Sequence, residues 1–276
     1  MHEAVSFNNQ IIRAEDALIS ALSSASLYGL GIFTTIAVYD GTPFLWEKHW
    51  SRLKVNSAKL GIDISKVSEE TVRRAFDQIV SDNAMENGRA RITIFDESTG
   101  AVWRLDGRRE SSILITTGEF RETPHNPRLT VSPFPINSAS PLAGVKSCNY
   151  LEKTVAQNEA RERGFDEAVG VNEHGEVTSA CMANLFWLKD GKLFTPSLET
   201  GCLAGTTREY LIGIVECFEV RQPLESIREA DAVFLTSAGI GMVQAAGIDE
   251  LEFPNPDHPI LSLVPNTRKN TKPREN

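Results

Sequence analysis

A polar segment, Gly118 to Pro127, separates two long stretches of strand- and helix-forming sequence and contains Pro124 and Pro127. Proline lacks the N–H that a sheet ladder needs and clashes inside a helix, so neither a central strand nor a helix runs through this segment. The chain has 276 residues, more than one typical hydrophobic core requires. The expected organisation is therefore a small α/β domain over 1–118, an interdomain loop over 119–127, a larger domain over 128–264 and a polar, disordered tail over 265–276. Hydrophobic residues make up 41% of the chain, enough for full cores without a metal or disulfide staple.

The local patterns on each side of the break are specific. Ile32 to Tyr39 is β-branched and aromatic, and Asp40-Gly41 then separates it from the apolar run Pro43 to Trp46. Asp-Gly between two apolar runs predicts a hairpin, because both turn residues accept positive φ. Trp50, Leu53, Ser57 and Leu60 share one helical face that ends at Gly61, with Arg52 off that stripe. A second helix is expected over 68–80, with Val72, Phe76 and Ile79 inward, followed by strands over 90–95 and 112–117. Beyond the break, a strand is expected over 128–132 and a proline-punctuated loop ending at Gly144-Val145-Lys146. A helix over 150–163 carries Val155 and Ala156 inward. Short strands follow over 167–171, 176–178, 184–188 and 192–195, then a helix over 205–215, a strand over 232–236 and a Gly-rich turn over 237–241.

Composition excludes some classes of function. With 28 basic and 37 acidic residues the net charge is -9, which argues against a broad phosphate-backbone footprint for nucleic acid. Cys148, Cys181, Cys202 and Cys217 form no C-x-x-C pair and have no nearby histidine to complete a zinc pattern, so buried reduced thiols and no metal are expected. No basic-then-apolar leader and no apolar run of about 20 residues is present, so a cytoplasmic protein without membrane contact is expected.

Three features carry chemistry. Lys146 sits between the proline-rich loop and a helix, among small and apolar neighbours, a setting that desolvates an amine for nucleophilic use; as a lysine alone it reads as a surface charge. Gly205-Thr206-Thr207-Arg208 opens a helix, where exposed N–H groups and two hydroxyls make either a phosphate seat or a simple cap. Arg52 offers a guanidinium to a phosphate or to solvent.

Five segments, in order, resemble the class IV (fold type IV) pyridoxal phosphate (PLP) enzymes. They are Tyr28-Gly-Leu-Gly-Ile-Phe-Thr-Thr-Ile-Ala-Val-Tyr-Asp-Gly, His49-Trp-Ser-Arg-Leu, Lys146-Ser-Cys-Asn-Tyr-Leu, Gly175-Glu-Val-Thr-Ser-Ala-Cys-Met-Ala-Asn-Leu-Phe, and Gly201-Cys-Leu-Ala-Gly-Thr-Thr-Arg. The resemblance implies a small N-terminal α/β domain, a larger β-barrel-like α/β domain and a homodimer. It implies that Lys146 forms the Schiff base with PLP and moves protons, and that Arg52, Gly205, Thr206 and Thr207 hold the phosphate beside the turn at Ser237 and Ala238. Tyr150 approaches the cofactor's phenolic oxygen and Ser179 its pyridine nitrogen. Phe33, Thr35 and Arg91 are expected to face a small amino substrate; Arg91 and Arg104 are candidates for its carboxylate, with exposed ion pairing as the favoured alternative for each.

Two positions depart from the family pattern. Leu30 stands where Asp is usual, and Ser179 stands where a glutamate usually faces the pyridine nitrogen. A carboxylate keeps that nitrogen protonated, making the ring a strong electron sink, whereas a serine only hydrogen-bonds it. Elimination tolerates a weaker sink better than transamination does. Phe33-Thr34-Thr35, the Ser179 to Trp187 segment and Ala238 resemble 4-amino-4-deoxychorismate lyases, which release pyruvate and 4-aminobenzoate for folate biosynthesis. A branched-chain or D-amino acid aminotransferase is the alternative, and a PLP-fold binding protein with impaired catalysis is a third.

Overall fold

The computed structural model describes residues 1–99, 110–122, 124–254 and 257–265. They form two compact units. Among the described residues, the first runs from Met1 to Phe120 and also includes Lys146–Asn149; the second holds Arg121–Val145 and residues 150–265.

The first unit comprises β1 (Ala4–Phe7), β2 (Gln10–Arg13), α1 (Ser24–Tyr28), β3 (Gly31–Tyr39), β4 (Thr42–Pro43), α2 (Trp46–Leu60), α3 (Glu69–Asp82), β5 (Gly88–Asp96) and β6 (Ser111–Gly118). Its strands form one antiparallel sheet in the order β2-β1-β6-β5-β3-β4. The helix α2 packs on β3, and α3 packs on β1 and β6. Ile32, Ile36, Leu53, Phe76, Ile79, Ile92, Ile94 and Ile115 are fully buried. Gly61 caps α2, and the Ser68 hydroxyl accepts the Thr71 N–H at the start of α3, as a cap residue with a β-region backbone does.

The second unit comprises β7 (Arg128–Val131), α4 (Leu151–Glu162), β8 (Glu167–Val171), β9 (Val177–Ala180), β10 (Asn184–Lys189), β11 (Lys192–Pro196), α5 (Thr206–Ile214), β12 (Phe218–Val220), α6 (Glu225–Arg228), β13 (Ala232–Ser237), β14 (Gly241–Gln244), β15 (Gly247–Ile248) and β16 (Leu251–Glu252). One sheet runs β12-β11-β10-β13-β14, the other β16-β15-β7-β8-β9. A single core joins them: Leu129, Val169 and Val177 of one sheet meet Leu185, Trp187, Val233 and Leu235 of the other. Phe186 and Phe234 point the opposite way and pack with Leu211 of α5. With both faces covered, β13 reads as an unbroken apolar run rather than an alternation.

Several sequence expectations need correction. The second arm of the Asp40-Gly41 hairpin is only Thr42–Pro43, because α2 already begins at Trp46. Val155 faces out, 45% exposed, while Ala156, Gln157 and Ala160 form the buried face of α4. The α4 face packs on β8 with the small residues Ala168 and Cys181 beneath it, so alanines fit there and the branched Val155 is turned away. The strand expected over 176–178 lies at Val177–Ala180, and Tyr150 precedes α4 as its N-cap. The hairpin β1–β2 was not anticipated, although Asn8 and Asn9, both at positive φ, supply a recognisable turn. Arg104 and the tail beyond Pro265 lie outside the described residues.

Candidate active site

The Tyr28-Gly-Leu-Gly motif builds the frame for Lys146. Gly29 ends α1 at φ +65, a conformation costly for a side chain. Gly31 lies so close to the segment 146–149 that an added Cβ would meet Cys148 Sγ at 3.0 Å and the Ile94 carbonyl at 3.0 Å. This close approach lets the Lys146 segment dock on β3. The Phe33 N–H donates to the Lys146 carbonyl at 3.0 Å, and the Cys148 N–H donates to the Gly31 carbonyl at 2.8 Å. Ile32 and Ser147 form an antiparallel bridge.

On one face of the sheet, strand alternation places Phe33 and Thr35 of β3 beside Thr93 and Arg91 of β5. The Arg91 guanidinium lies 3.6 Å from the Phe33 ring centroid, and Lys146 Nζ lies 4.5 Å from the same centroid. Two cations thus share one aromatic ring, and Arg91 also donates from Nε to Thr93 Oγ1 at 3.0 Å. The structure therefore brings Phe33, Thr35, Arg91 and Lys146 together.

Thr34, between Phe33 and Thr35, points to the other face and meets α2. Arg52 Nη2 donates to Thr34 Oγ1 at 2.6 Å, and Thr34 Oγ1 lies 2.6 Å from His49 Nδ1. Burial holds the His49 pKa well below 6.5, reinforced by the Arg52 and Lys146 charges. An unfolded histidine picks up its proton near 6.5 and the folded one resists it, so the unfolded state binds more protons below that pH. Stability at neutral pH should therefore decline as the pH falls below about 6.5. Urea unfolding between pH 8 and 5 checks this: His49→Asn should flatten the acid slope by up to ~1.4 kcal/mol per pH unit. Neither Thr34 nor His49 was read from sequence as a site residue. The helical spacing of His49 and Arg52 on α2 was the available signal.

In the second unit, Tyr150 precedes α4, Ser179 lies in β9, Gly205, Thr206 and Thr207 open α5, and Ser237 and Ala238 lie at the end of β13. No side chain caps the first turn of α5, where Gly205 is the N-cap, so its N–H groups are offered to a ligand. Thr206 and Thr207 are both buried there. The backbone of Asn184 pairs with Thr236, next to Ser237, and its Nδ2 donates to the Leu203 carbonyl at 2.7 Å. Asn184 therefore ties the start of α5 to the turn after β13. A Cβ on Gly205 would fall 1.9 Å from Asn184 Oδ1. Gly205→Ala should break this tie and cost about 1–3 kcal/mol, measurable by thermal unfolding, and should weaken binding of any phosphate at α5.

Ser179 lies in β9 and is only 3% exposed. Thr207, at the start of α5, is equally buried, and Ser237 ends β13. Glu167 does not substitute for a carboxylate at position 179. Its Oε1 accepts the N–H groups of Cys181 at 3.0 Å and Ala168 at 3.2 Å, and burial raises its pKa against those hydrogen bonds. Lys153 of α4 is a second amine in this unit. Its pKa is lowered by burial and partly restored by Cys181, Glu167 and Cys202, and its Nζ lies 5.9 Å from the Tyr150 ring centroid. Sequence reading did not single it out. Among the described residues no cluster of His, Cys, Asp or Glu could hold a metal ion, and no helix is long and apolar enough to cross a membrane.

The amino-transferase class IV family pattern matches residues 31–248, which include the Lys146 segment, Arg52, Ser179 and the start of α5. The chain belongs to the class IV aminotransferase family. It is 26% identical to the aminodeoxychorismate lyase of Bacillus subtilis (strain 168), over 89% of this chain and 87% of that protein. It is also 26% identical to a D-alanine aminotransferase of Listeria monocytogenes serotype 4b, again over 89% of this chain and 87% of that protein. Among solved structures, a branched-chain aminotransferase from Thermoproteus uzoniensis superposes with a TM-score of 0.86 at 26% identity, covering 94% of this chain and 91% of that one. As a member of this family the protein is an enzyme of the fold type IV class whose cofactor is PLP. The residues present fit that group: a helix N-terminus without a side-chain cap, a glycine at the point of closest approach, and buried threonine hydroxyls in the first turn.

Proposed function

We propose that this enzyme is a PLP-dependent lyase that splits 4-amino-4-deoxychorismate into 4-aminobenzoate and pyruvate, a step of folate biosynthesis. The observation that carries the reading is Ser179. At the position where a carboxylate usually faces the pyridine nitrogen there is a buried serine in β9, while Glu167 is engaged by backbone N–H groups. Bound PLP supplies an electron sink that stabilises negative charge on the substrate carbon next to the amine. A sink hydrogen-bonded by serine favours a reaction in which a leaving group departs at once, and formation of an aromatic ring drives that departure.

The chain's own groups have separable roles in this reading. Lys146 Nζ carries the cofactor, then accepts the ring proton of the substrate as the C–O bond to the enolpyruvyl group breaks. Arg52 and the first turn of α5, with Gly205, Thr206 and Thr207, hold the phosphate, and the turn at Ser237 and Ala238 supports them. Tyr150 approaches the phenolic oxygen. Phe33 and Thr35 line the substrate side, and Arg91 meets a substrate carboxylate. A homodimer would cover Leu151 and Val155, which lie exposed on one face of α4; a cytoplasmic setting suits the four free thiols.

Incubation of the holoenzyme with 4-amino-4-deoxychorismate tests the proposal. Pyruvate and 4-aminobenzoate in equal amounts are expected. The similarity to a D-alanine and a branched-chain aminotransferase supports a second reading, in which an amino donor alone drives the cofactor into its pyridoxamine form. That conversion, with no pyruvate from aminodeoxychorismate, would replace the lyase by an aminotransferase.

A further inference from the structure

Arg52 reaches the rest of the first unit through a short buried chain of polar groups. Thr34 is 0% exposed and His49 is 1% exposed. Thr34 Oγ1 accepts from Arg52 Nη2 at 2.6 Å, which occupies a lone pair and leaves the hydroxyl proton to be donated. The acceptor within reach is His49 Nδ1, also at 2.6 Å. If Nδ1 carried a proton instead, the Thr34 hydroxyl would face two donors, and its own proton would have no acceptor among the described residues. A buried O–H without an acceptor is disfavoured. The hydrogen-bond order therefore runs from Arg52 to Thr34 to His49, with the imidazole neutral and its proton on Nε2. Thr34 is itself rigid, since its backbone pairs with Ile92 in the middle of the sheet and its branched Cβ restricts χ1.

We propose that Thr34 and His49 are positioning residues: a hydroxyl–imidazole relay that fixes the Arg52 guanidinium in the orientation that grips the cofactor phosphate. The inference rests on the reading of Arg52 as a phosphate ligand and extends it to two residues that touch neither cofactor nor substrate. A neutral acceptor such as the Thr34 hydroxyl orients a guanidinium without cancelling its charge. A carboxylate in the place of Thr34 would instead neutralise it.

The test compares PLP with pyridoxal, which lacks the phosphate, by titrating apoprotein variants and reading the visible absorption band. Thr34→Val should weaken PLP binding about tenfold and leave pyridoxal binding unchanged. Thr34→Ser, which restores the hydroxyl, should recover the parent's preference. His49→Phe should resemble Thr34→Val, and His49→Asn, which keeps an acceptor near Nδ1, should recover at least part of the preference. The relay is overturned if Arg52→Met loses the preference for PLP while Thr34→Val keeps it. If Arg52→Met keeps the preference as well, the phosphate reading of Arg52 fails and the relay falls with it. Nitrogen-15 NMR of the histidines in the parent protein is independent of any variant's folding. An Nε2–H tautomer for His49 at neutral pH supports the relay, and an Nδ1–H tautomer or an imidazolium overturns it.

Discussion

Lys146→Ala is expected to abolish the visible absorption band that PLP gives with the parent protein and to lower turnover by at least about 10³-fold. The size of the effect follows from the two roles that the proposed function gives one group: the amine that carries the cofactor would also be the base that takes the substrate proton. The fold should survive the substitution, because the docking of this segment on β3 runs through backbone groups. The Phe33 N–H to Lys146 carbonyl bond and the Cys148 N–H to Gly31 carbonyl bond do not involve the lysine side chain. An unchanged far-ultraviolet circular dichroism spectrum should accompany the lost band. Turnover within tenfold of the parent would remove Lys146 from the chemistry.

Ser179→Glu should redirect the enzyme. A carboxylate at this buried strand position would form a charge-assisted hydrogen bond with a protonated pyridine nitrogen, worth about 1.5–3 kcal/mol. That energy corresponds to roughly 10–100-fold in rate. The gain should fall on conversion of the cofactor to its pyridoxamine form by an amino donor alone, measured by loss of the visible band. The proposed elimination should change much less, since departure of pyruvate would limit how long charge resides on the ring. If the variant binds PLP normally and shows no faster conversion with any amino donor, serine at this position is not what restrains transamination. Ser179→Ala provides the complementary control, because it removes the hydroxyl without adding a charge.

The local part of this account was legible in the sequence because its signals are short-range. Gly61 after a periodic apolar face and Ser68 before one mark helix ends through backbone chemistry that needs no tertiary partner. The strands β3, β5, β6 and β13 announce themselves by β-branched runs. The errors arose where tertiary packing decides. Val155 and Ala156 are adjacent and both apolar, and only the small-residue surface beneath α4 selects the alanine. The two-residue second arm of the Asp40-Gly41 hairpin depends on α2 starting at Trp46, which an apolar run does not reveal.

The same division holds at the site. Residue types and order identified Lys146, Arg52 and the Gly205-Thr206-Thr207 turn as candidates. What the sequence could not convey is that the Lys146 segment joins the first unit across β3, or that Thr34 lies between Arg52 and His49. Thr34 is 18 residues from Arg52 in the chain, and its role depends on which face of the strand it occupies. A one-residue change of register would exchange Thr34 with Thr35 and turn the Thr34 hydroxyl away from α2.

Chemical trapping locates the amine that holds the cofactor. Holoenzyme reduced with borohydride retains the cofactor on whichever amine holds it, and mass spectrometry of the digested protein locates that amine. The account predicts a pyridoxyl group on the peptide that carries Lys146 and on no other. A label on Lys153, whose pKa is lowered in the second unit, or no labelled lysine at all, would remove Lys146 from this role.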